Sequence, residues 1–257
     1  MSGPDQQDAT SSLRRALALL DAFSADHPEM SIRELSARSG VSRSTAHRLS
    51  VELVEWGALE RSPRGLRLGT KLFELGTLAP THATLRDVSG PYLHTLHEVT
   101  QLTANLAVRD GDEIVYLEKI NTRGLTVPHT RLGGRGTLHA TALGKAILAF
   151  AGTGDDDVDA LEPTMRALTS KTLTDVESLR RELRQARGEK VAYDVEESQL
   201  GLFCVAAPVL DRQGRAIAAV SVTGATALSQ AQRFAPTVIA TAFAISRQLN
   251  APRTRAR

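Results

Sequence analysis

The stretch Ser31–Trp56, SIRELSARSGVSRSTAHRLSVELVEW, reads as two helices joined by a tight turn. Ser31 suits the N-cap of the first helix, with Ile32 and Leu35 as its apolar stripe. Gly40 takes a positive φ at no steric cost and so suits the turn, while Val41 plugs the space beneath it. Ser42 offers a second N-cap, its hydroxyl placed to accept from a free amide one turn on. Ala46, Leu49, Leu53 and Trp56 recur at helical spacing and are expected to face inward together. Ser42, Arg43, Ser44, Thr45, His47 and Arg48 are left largely outward around the first turn and a half. Short hydroxyls, an imidazole and guanidiniums are the side chains that reach phosphates and base edges in a major groove. The second helix is therefore a candidate recognition helix. An ordinary helical hairpin with a solvated basic face would use the same residues.

The flanks favour the first reading. Upstream, a helix is expected from Ser12 to about His27-Pro28, with Leu13, Ala16, Leu17, Leu20 and Phe23 inward, as a floor for the other two; proline disfavours helix in the residue before it. Downstream, Gly57 stops the recognition helix, and strand-like runs at 58–60 and 66–68 flank Arg61-Ser62-Pro63-Arg64-Gly65. A hairpin there makes the unit a winged helix-turn-helix, with Arg61, Arg64 and Arg67 on or beside the wing, near flanking phosphates. They would give affinity and salt dependence rather than sequence choice. Between Ser31 and Lys71 eight basic residues stand against four acidic ones, a surplus of four, whereas the whole chain carries a formal net charge of +2. The remainder is slightly acidic, as suits a DNA-facing end joined to a second domain.

The 257 residues are enough for two cores. The expected division is a disordered N-terminus at 1–11, the winged helix-turn-helix at 12–69, a linker helix at 70–80, an effector domain at 81–250 and a basic tail at 251–257. One cysteine, Cys204, excludes a disulfide framework and a cysteine-based zinc site; no cofactor or metal is expected. The opening MSGPDQQDATSS lacks the apolar core of a secretory signal, and no apolar run is long enough for a bilayer. The expected location is cytoplasmic, without membrane association.

A long helix is expected at about 83–100, with Leu85, Val88, Tyr92, Leu93, Leu96 and Val99 on one side. Alternating strands at 103–108 and 113–120 flank Asp110-Gly111, a hairpin signal. Helices at about 140–152, 155–163 and 175–188 follow, then strands near 191–196, 202–210 and 215–224, and a helix at about 229–250. Strands, helices, then strands indicate a mainly antiparallel sheet with helices packed on it, an α+β domain.

Three places in this domain suit a ligand. If Leu210 faces Arg215 in the last hairpin, Cys204 pairs with Ser221 and Leu202 with Thr223, and these four share one face. That face is either a small pocket with a few polar groups or a solvent-facing side. The helix entry LHATALGK after a glycine-rich run leaves backbone amides for an anion, or reflects close helix packing. Asp194, at a strand end, either accepts a ligand hydroxyl or caps a turn. An enzyme with Cys204 as nucleophile, helped by His139 or Asp194, is an alternative, against which stands the thiol's mid-strand position among apolar neighbours. A metabolite-sensing module that signals to a protein partner is another, and leaves the recognition helix unexplained.

Taken together, SSLRRALALLDAF, IRELSARSGVSRSTAHRL, RLGTKLFELG, LHATALGKAILA and DVEESQLGLFCVAAPVLDRQGRAIAAVSVTG resemble, in this order, the IclR family of bacterial transcriptional regulators, from about Ser12 to Asn250. The resemblance implies a linker helix between the winged helix-turn-helix and a GAF-like antiparallel α+β effector domain. It also implies homodimers, often paired into tetramers, on palindromic double-stranded DNA operators. A small metabolite, frequently an organic or aromatic acid, would control DNA binding. Carried over motif by motif, its pocket would involve Leu125, the backbone around Ala142 and Leu143, Asp194, Leu202, Cys204, Ser221 and Thr223. Ser36 and Ser50 depart from the family's pattern, which has alanine and a larger apolar residue there. The match is loose over Leu125–Gly136.

Overall fold

The structure is a computed structural model that describes residues 11–121, 130–152, 156–225 and 232–252, without the side chains of residues 80–82 and 156. The expected disordered start, apart from Ser11, and most of the basic tail lie outside these residues, as does Leu125. The chain forms two compact units, Met1–Ala83 and Thr84–Arg257.

In the first unit the helices are α1 (Ser12–Asp21), α2 (Ile32–Ser39), α3 (Arg43–Trp56) and α4 (Thr70–Thr77). Strands β1 (Glu29–Met30), β2 (Leu59–Ser62) and β3 (Gly65–Leu68) form an antiparallel sheet in the order β1-β3-β2. Ser31 caps α2 in a reciprocal box: its hydroxyl accepts from Glu34 N–H and Glu34 accepts from Ser31 N–H. Gly40 and Gly57 end α2 and α3 at φ of 70° and 90°, as expected. Gly65 is required by close approach, since a Cβ there would lie 2.3 Å from the Met30 carbonyl oxygen on β1.

This unit departs from the sequence expectation in three places. First, α1 stops at Asp21, because a turn closed by the Ser24–His27 bridge follows. Its core residue is Leu19, while Leu13 and Leu17 are exposed. Second, Trp56 is 54% exposed. The inward face of α3 runs through Ala46, Leu49 and Ser50 and on to the half-buried Leu53 and Val54, which leaves Trp56 off its edge. Third, Ser42 gives its backbone to the helix but not its side chain. Its hydroxyl donates to Thr45 Oγ1 at 2.9 Å.

The second unit begins along α5 (Pro80–Thr100). An antiparallel six-stranded sheet follows, in the order β6-β5-β4-β9-β8-β7, from β4 (Thr103–Asp110), β5 (Glu113–Ile120), β6 (Arg135–Thr137), β7 (Ala192–Val195), β8 (Phe203–Leu210) and β9 (Ala216–Gly224). The glycine-rich lead-in to α6 contains the short β6, which pairs with β5. Alternation along the strands gives the sheet two buried faces. Leu106, Val205, Val220 and Val222 pack toward α5 and α9 (Ala235–Asn250). Ala107, Ala206 and Ala219 pack toward α6 (Ala142–Ala149), with α7 (Asp156–Asp159) and α8 (Val176–Glu189) completing that layer. Small residues there leave room for α6, and Gly144 lets the chain just before the helix cross close to it: a Cβ on Gly144 would lie 2.4 Å from the Leu138 carbonyl oxygen. On α5, Leu85, Leu93 and Leu96 are buried, but Val99, in the last turn, is exposed.

Candidate functional site

On the first unit, Ser42, Arg43, Ser44, His47 and Arg48 are exposed along the start of α3, and Thr45 is half-buried. Ala46 and Leu49 anchor the opposite side in the core, so packing fixes which way the polar face points. Arg48 pairs with Glu52 one turn on at 2.8 Å. Among the described residues no ion pair engages Arg43, Arg61 or Arg64. Arg61 and Arg64 are exposed at the β2–β3 hairpin. Arg67 is also exposed, but its guanidinium is held by Glu60 at 3.1 Å. The other oxygen of Glu60 accepts from Thr70 N–H (2.9 Å) and its hydroxyl (3.0 Å) at the start of α4. These bonds, the Thr70 N–H first, hold the Glu60 carboxyl below its usual range.

Two serines of the helix-turn-helix, Ser36 and Ser50, differ in how their hydroxyls are satisfied. Ser36 donates its hydroxyl to the Val41 carbonyl at 2.7 Å and so fastens the turn between α2 and α3. Ser50 is buried without a partner for its hydroxyl, beside a cavity of about 130 Å³ lined by Ile32, Val54 and Leu66.

On the second unit, the observed register pairs Cys204 with Thr223 and Ala206 with Ser221. This is two residues from the expected pairing: the turn is one residue longer than expected, so Leu210 faces Ala216 rather than Arg215, and a bulge between Val209 and Leu210 adds a second residue. A two-residue shift preserves the face, so Cys204, Ser221 and Thr223 still lie together. Leu202 is buried but lies before the strand begins.

Asn105 on β4 completes the cluster, donating to Ser221 Oγ at 3.2 Å and Thr223 Oγ1 at 3.3 Å. Its own Oδ1 is buried without a partner. Cys204 Sγ lies 3.1 Å from Thr223 Oγ1. Desolvation pushes the thiol well above its ordinary value, and the Asp194 carboxylate adds to this.

Asp194 takes the turn-capping role. It accepts from Glu197 N–H (2.8 Å), Ser198 N–H (3.2 Å) and the Ser198 hydroxyl (2.5 Å). Burial raises its pKa, against the pull of these bonds. Thr141 caps α6 by accepting from Gly144 N–H at 3.0 Å, and Ala142 and Leu143 are buried behind it. His139 is buried with Nε2 3.1 Å from the Arg166 carbonyl, and desolvation lowers its pKa, favouring the neutral ring that donates there.

A cavity of about 240 Å³ adjoins the cluster, with Tyr116, Thr137, Thr141, Arg166 and Ser198 in its wall. Tyr116 links the two: burial raises its phenol, and Cys204 and Asp194 are near enough to raise it further. The structure thus brings Asp194, Cys204, Ser221 and Thr223 together, with Ala142 and Leu143 behind the capped start of α6. It also adds Asn105, Tyr116, Lys145 and Glu197, which the sequence reading missed. Lys145 was legible as the single charge in the otherwise apolar helix ALGKAILA; Asn105 and Tyr116 carry no comparable signal.

A winged helix-turn-helix unit followed by an α+β domain of this topology defines a DNA-binding regulator with an effector domain. Residues 78–247 match the C-terminal domain of bacterial transcriptional regulator IclR, and residues 12–63 match the IclR helix-turn-helix domain. The chain belongs to the IclR family of bacterial transcriptional regulators. It is 35% identical over 217 residues to the HTH-type transcriptional regulator XynR of Escherichia coli, spanning 84% of this chain and 86% of XynR. It is 34% identical over 221 residues to the Escherichia coli regulator KdgR, spanning 85% and 83%. Among solved structures, an IclR homologue from Microbacterium hydrocarbonoxydans, complexed with 4-hydroxybenzoate, superposes with a TM-score of 0.84 at 27% identity, covering 93% of this chain and 99% of that one. The Thermotoga maritima IclR gives 0.77 at 29% identity with the same coverage.

Proposed function

We propose that the chain binds a palindromic DNA operator as a homodimer, or as a tetramer of paired dimers, and that a small organic or aromatic acid in the C-terminal domain controls that binding. The observation that carries the DNA half is the exposed outer face of α3, with Arg43 free of ion pairs among the described residues and Arg61 and Arg64 on the adjacent wing. Ser42, Arg43, Ser44, Thr45, His47 and Arg48 read the groove, and the wing arginines meet the flanking phosphates. Supporting self-association, α1 exposes Leu13 and Leu17 and α4 exposes Phe73 and Leu75, apolar surface of the kind that partner subunits cover. A DNA partner makes the location cytoplasmic, and no helix among the described residues is long and apolar enough to cross a membrane.

The effector half rests on the cavity beside Tyr116 and the polar cluster behind it, with Asp194, Leu202, Cys204, Ser221, Thr223 and the start of α6 at Ala142 and Leu143 around the ligand. The 4-hydroxybenzoate complex of the Microbacterium homologue supports an acid as the ligand class. The relatives are named as regulators rather than enzymes, and the raised thiol and the turn-capping Asp194 argue against Cys204 as a nucleophile.

The test is titration of the full chain onto labelled DNA from its own upstream region, at several salt concentrations, with excess unrelated competitor. Competitor-resistant binding with a clear salt slope, altered by one of a panel of small acids that includes 4-hydroxybenzoate, is the expected result. Binding that competitor abolishes there and on sites selected from random DNA would overturn the reading.

A further inference from the structure

At the hairpin end of the large sheet, on the α9 side, lies a groove of about 570 Å³, a volume typical of small-molecule sites. Phe150, Pro208, Ile239 and Phe243 give it apolar walls, and Phe243 is 63% exposed. Its floor is fixed by α9. The Ser246 hydroxyl accepts from Leu210 N–H at 2.9 Å, and the Asn250 amide donates to the Leu210 carbonyl at 3.0 Å. The groove is therefore preformed rather than a gap between loose elements.

Its rim is cationic. Lys190, Arg212 and Arg247 border it, and among the described residues no carboxylate pairs with any of them. The one acid in the wall, Asp211, is committed to its own turn, accepting from Gln213 N–H (2.9 Å), Arg215 N–H (2.8 Å) and Arg215 Nε (3.2 Å). A second copy docking here in a two-fold contact would set three cations against three cations. An anion with an apolar body meets neither difficulty.

We propose that this groove is a second ligand site, taking a free monocarboxylate whose extended apolar body lies against Phe150, Ile239 and Phe243 and whose head group meets Lys190, Arg212 and Arg247. It is separate from the effector cavity. Cys204 and Leu210 are six residues apart on β8, roughly 20 Å along the strand.

The test is calorimetric titration of the full chain with decanoate below its micelle concentration, with decyltrimethylammonium as the opposite-charge control. Saturable binding of one decanoate per chain is expected. It should weaken at least tenfold in Phe243→Asp and in the double variant Arg212→Glu/Arg247→Glu, with no competition from the cation. Both variants change exposed side chains, so the fold should survive, and circular dichroism checks this. Absence of saturable binding, equal binding of the cation, or affinity unchanged in either variant would each overturn the proposal. So would a change of oligomeric state in Phe243→Asp by light scattering, which would assign the groove to a second copy.

Discussion

The ammonium of Lys145 lies 2.6 Å from Glu197 Oε1 in the interior of the second unit, with Lys145 only 1% exposed. Glu182 approaches the same ammonium from the surface at 3.5 Å. The pair fastens α6, whose N-cap Thr141 lines the cavity beside Tyr116, to the turn that Asp194 caps and Ser198 continues into the same wall.

Breaking this pair from one side should be costly. Above about pH 7, where Glu197 is ionised in the parent, Lys145→Met leaves a buried carboxylate that is either uncompensated or forced to take up a proton, and is expected to destabilise the effector domain by up to about 3–5 kcal/mol. The double variant Lys145→Met/Glu197→Leu should recover most of that loss, as urea denaturation of the two proteins would show. A single variant as stable as the parent would mean that the pair is not formed.

The same pair sets a pH dependence. Burial outweighs the pull of Lys145 and raises Glu197 to about 7, above its ordinary 4.5. The folded state therefore binds a proton that the unfolded chain has released. The corresponding stability is fully present below about 4.5 and is lost as pH rises to about 7. Melting temperatures between pH 5 and 7 should fall with pH in the parent and flatten in Glu197→Gln.

For DNA, Arg43→Ala is expected to weaken operator binding by roughly five- to a hundredfold, the range of a lost base or phosphate contact. Arg64→Ala should instead lower affinity across sequences and reduce the salt slope by about one. Fluorescence anisotropy on an operator and on a scrambled duplex separates the two effects. Unchanged affinity in both variants would sink the placement of α3 in the groove.

The Ser50 hydroxyl is buried unpaired on the inward face of α3. Ser50→Ala should stabilise the first unit by about 1 kcal/mol, because it removes an unsatisfied polar group. A thermal melt of the full chain, followed through Trp56 fluorescence, reads this; a lower transition would show that the hydroxyl has a partner, such as a water.

Gly144→Ala tests how closely α6 is packed. The added Cβ would meet the Leu138 backbone, which cannot swing aside as a flexible side chain does. A loss of about 1–3 kcal/mol is expected. The check is urea denaturation followed by far-ultraviolet circular dichroism.

The helix-turn-helix was legible because its signals are local: a capping serine, a glycine in the turn, and side chains whose chemistry suits a phosphate backbone. The antiparallel α+β domain was legible from alternation and from the Asp110-Gly111 turn. What escaped was set by tertiary contact. The two-residue β1 exists only because β3 pairs with it. The exposure of Trp56 depends on how α3 is rolled against Leu19 and Leu35. The longer turn at 211–215 and the bulge at Val209/Leu210 each moved the register by one residue, so parity survived and Cys204, Ser221 and Thr223 share a face despite the wrong pairing. Asn105, 116 residues from Ser221 in sequence, could be joined to it only by the fold.

Glu60 joins β2 to both the wing and α4. One of its oxygens grips Arg67 on the wing and the other receives the first amide of α4. Gly69 sits so close beneath that a methyl group would collide with the Gly57 carbonyl at the end of α3. Recognition helix, wing and α4 are thus knotted at one point, and a twist delivered along α4 is geared to the DNA-reading elements rather than absorbed by slack.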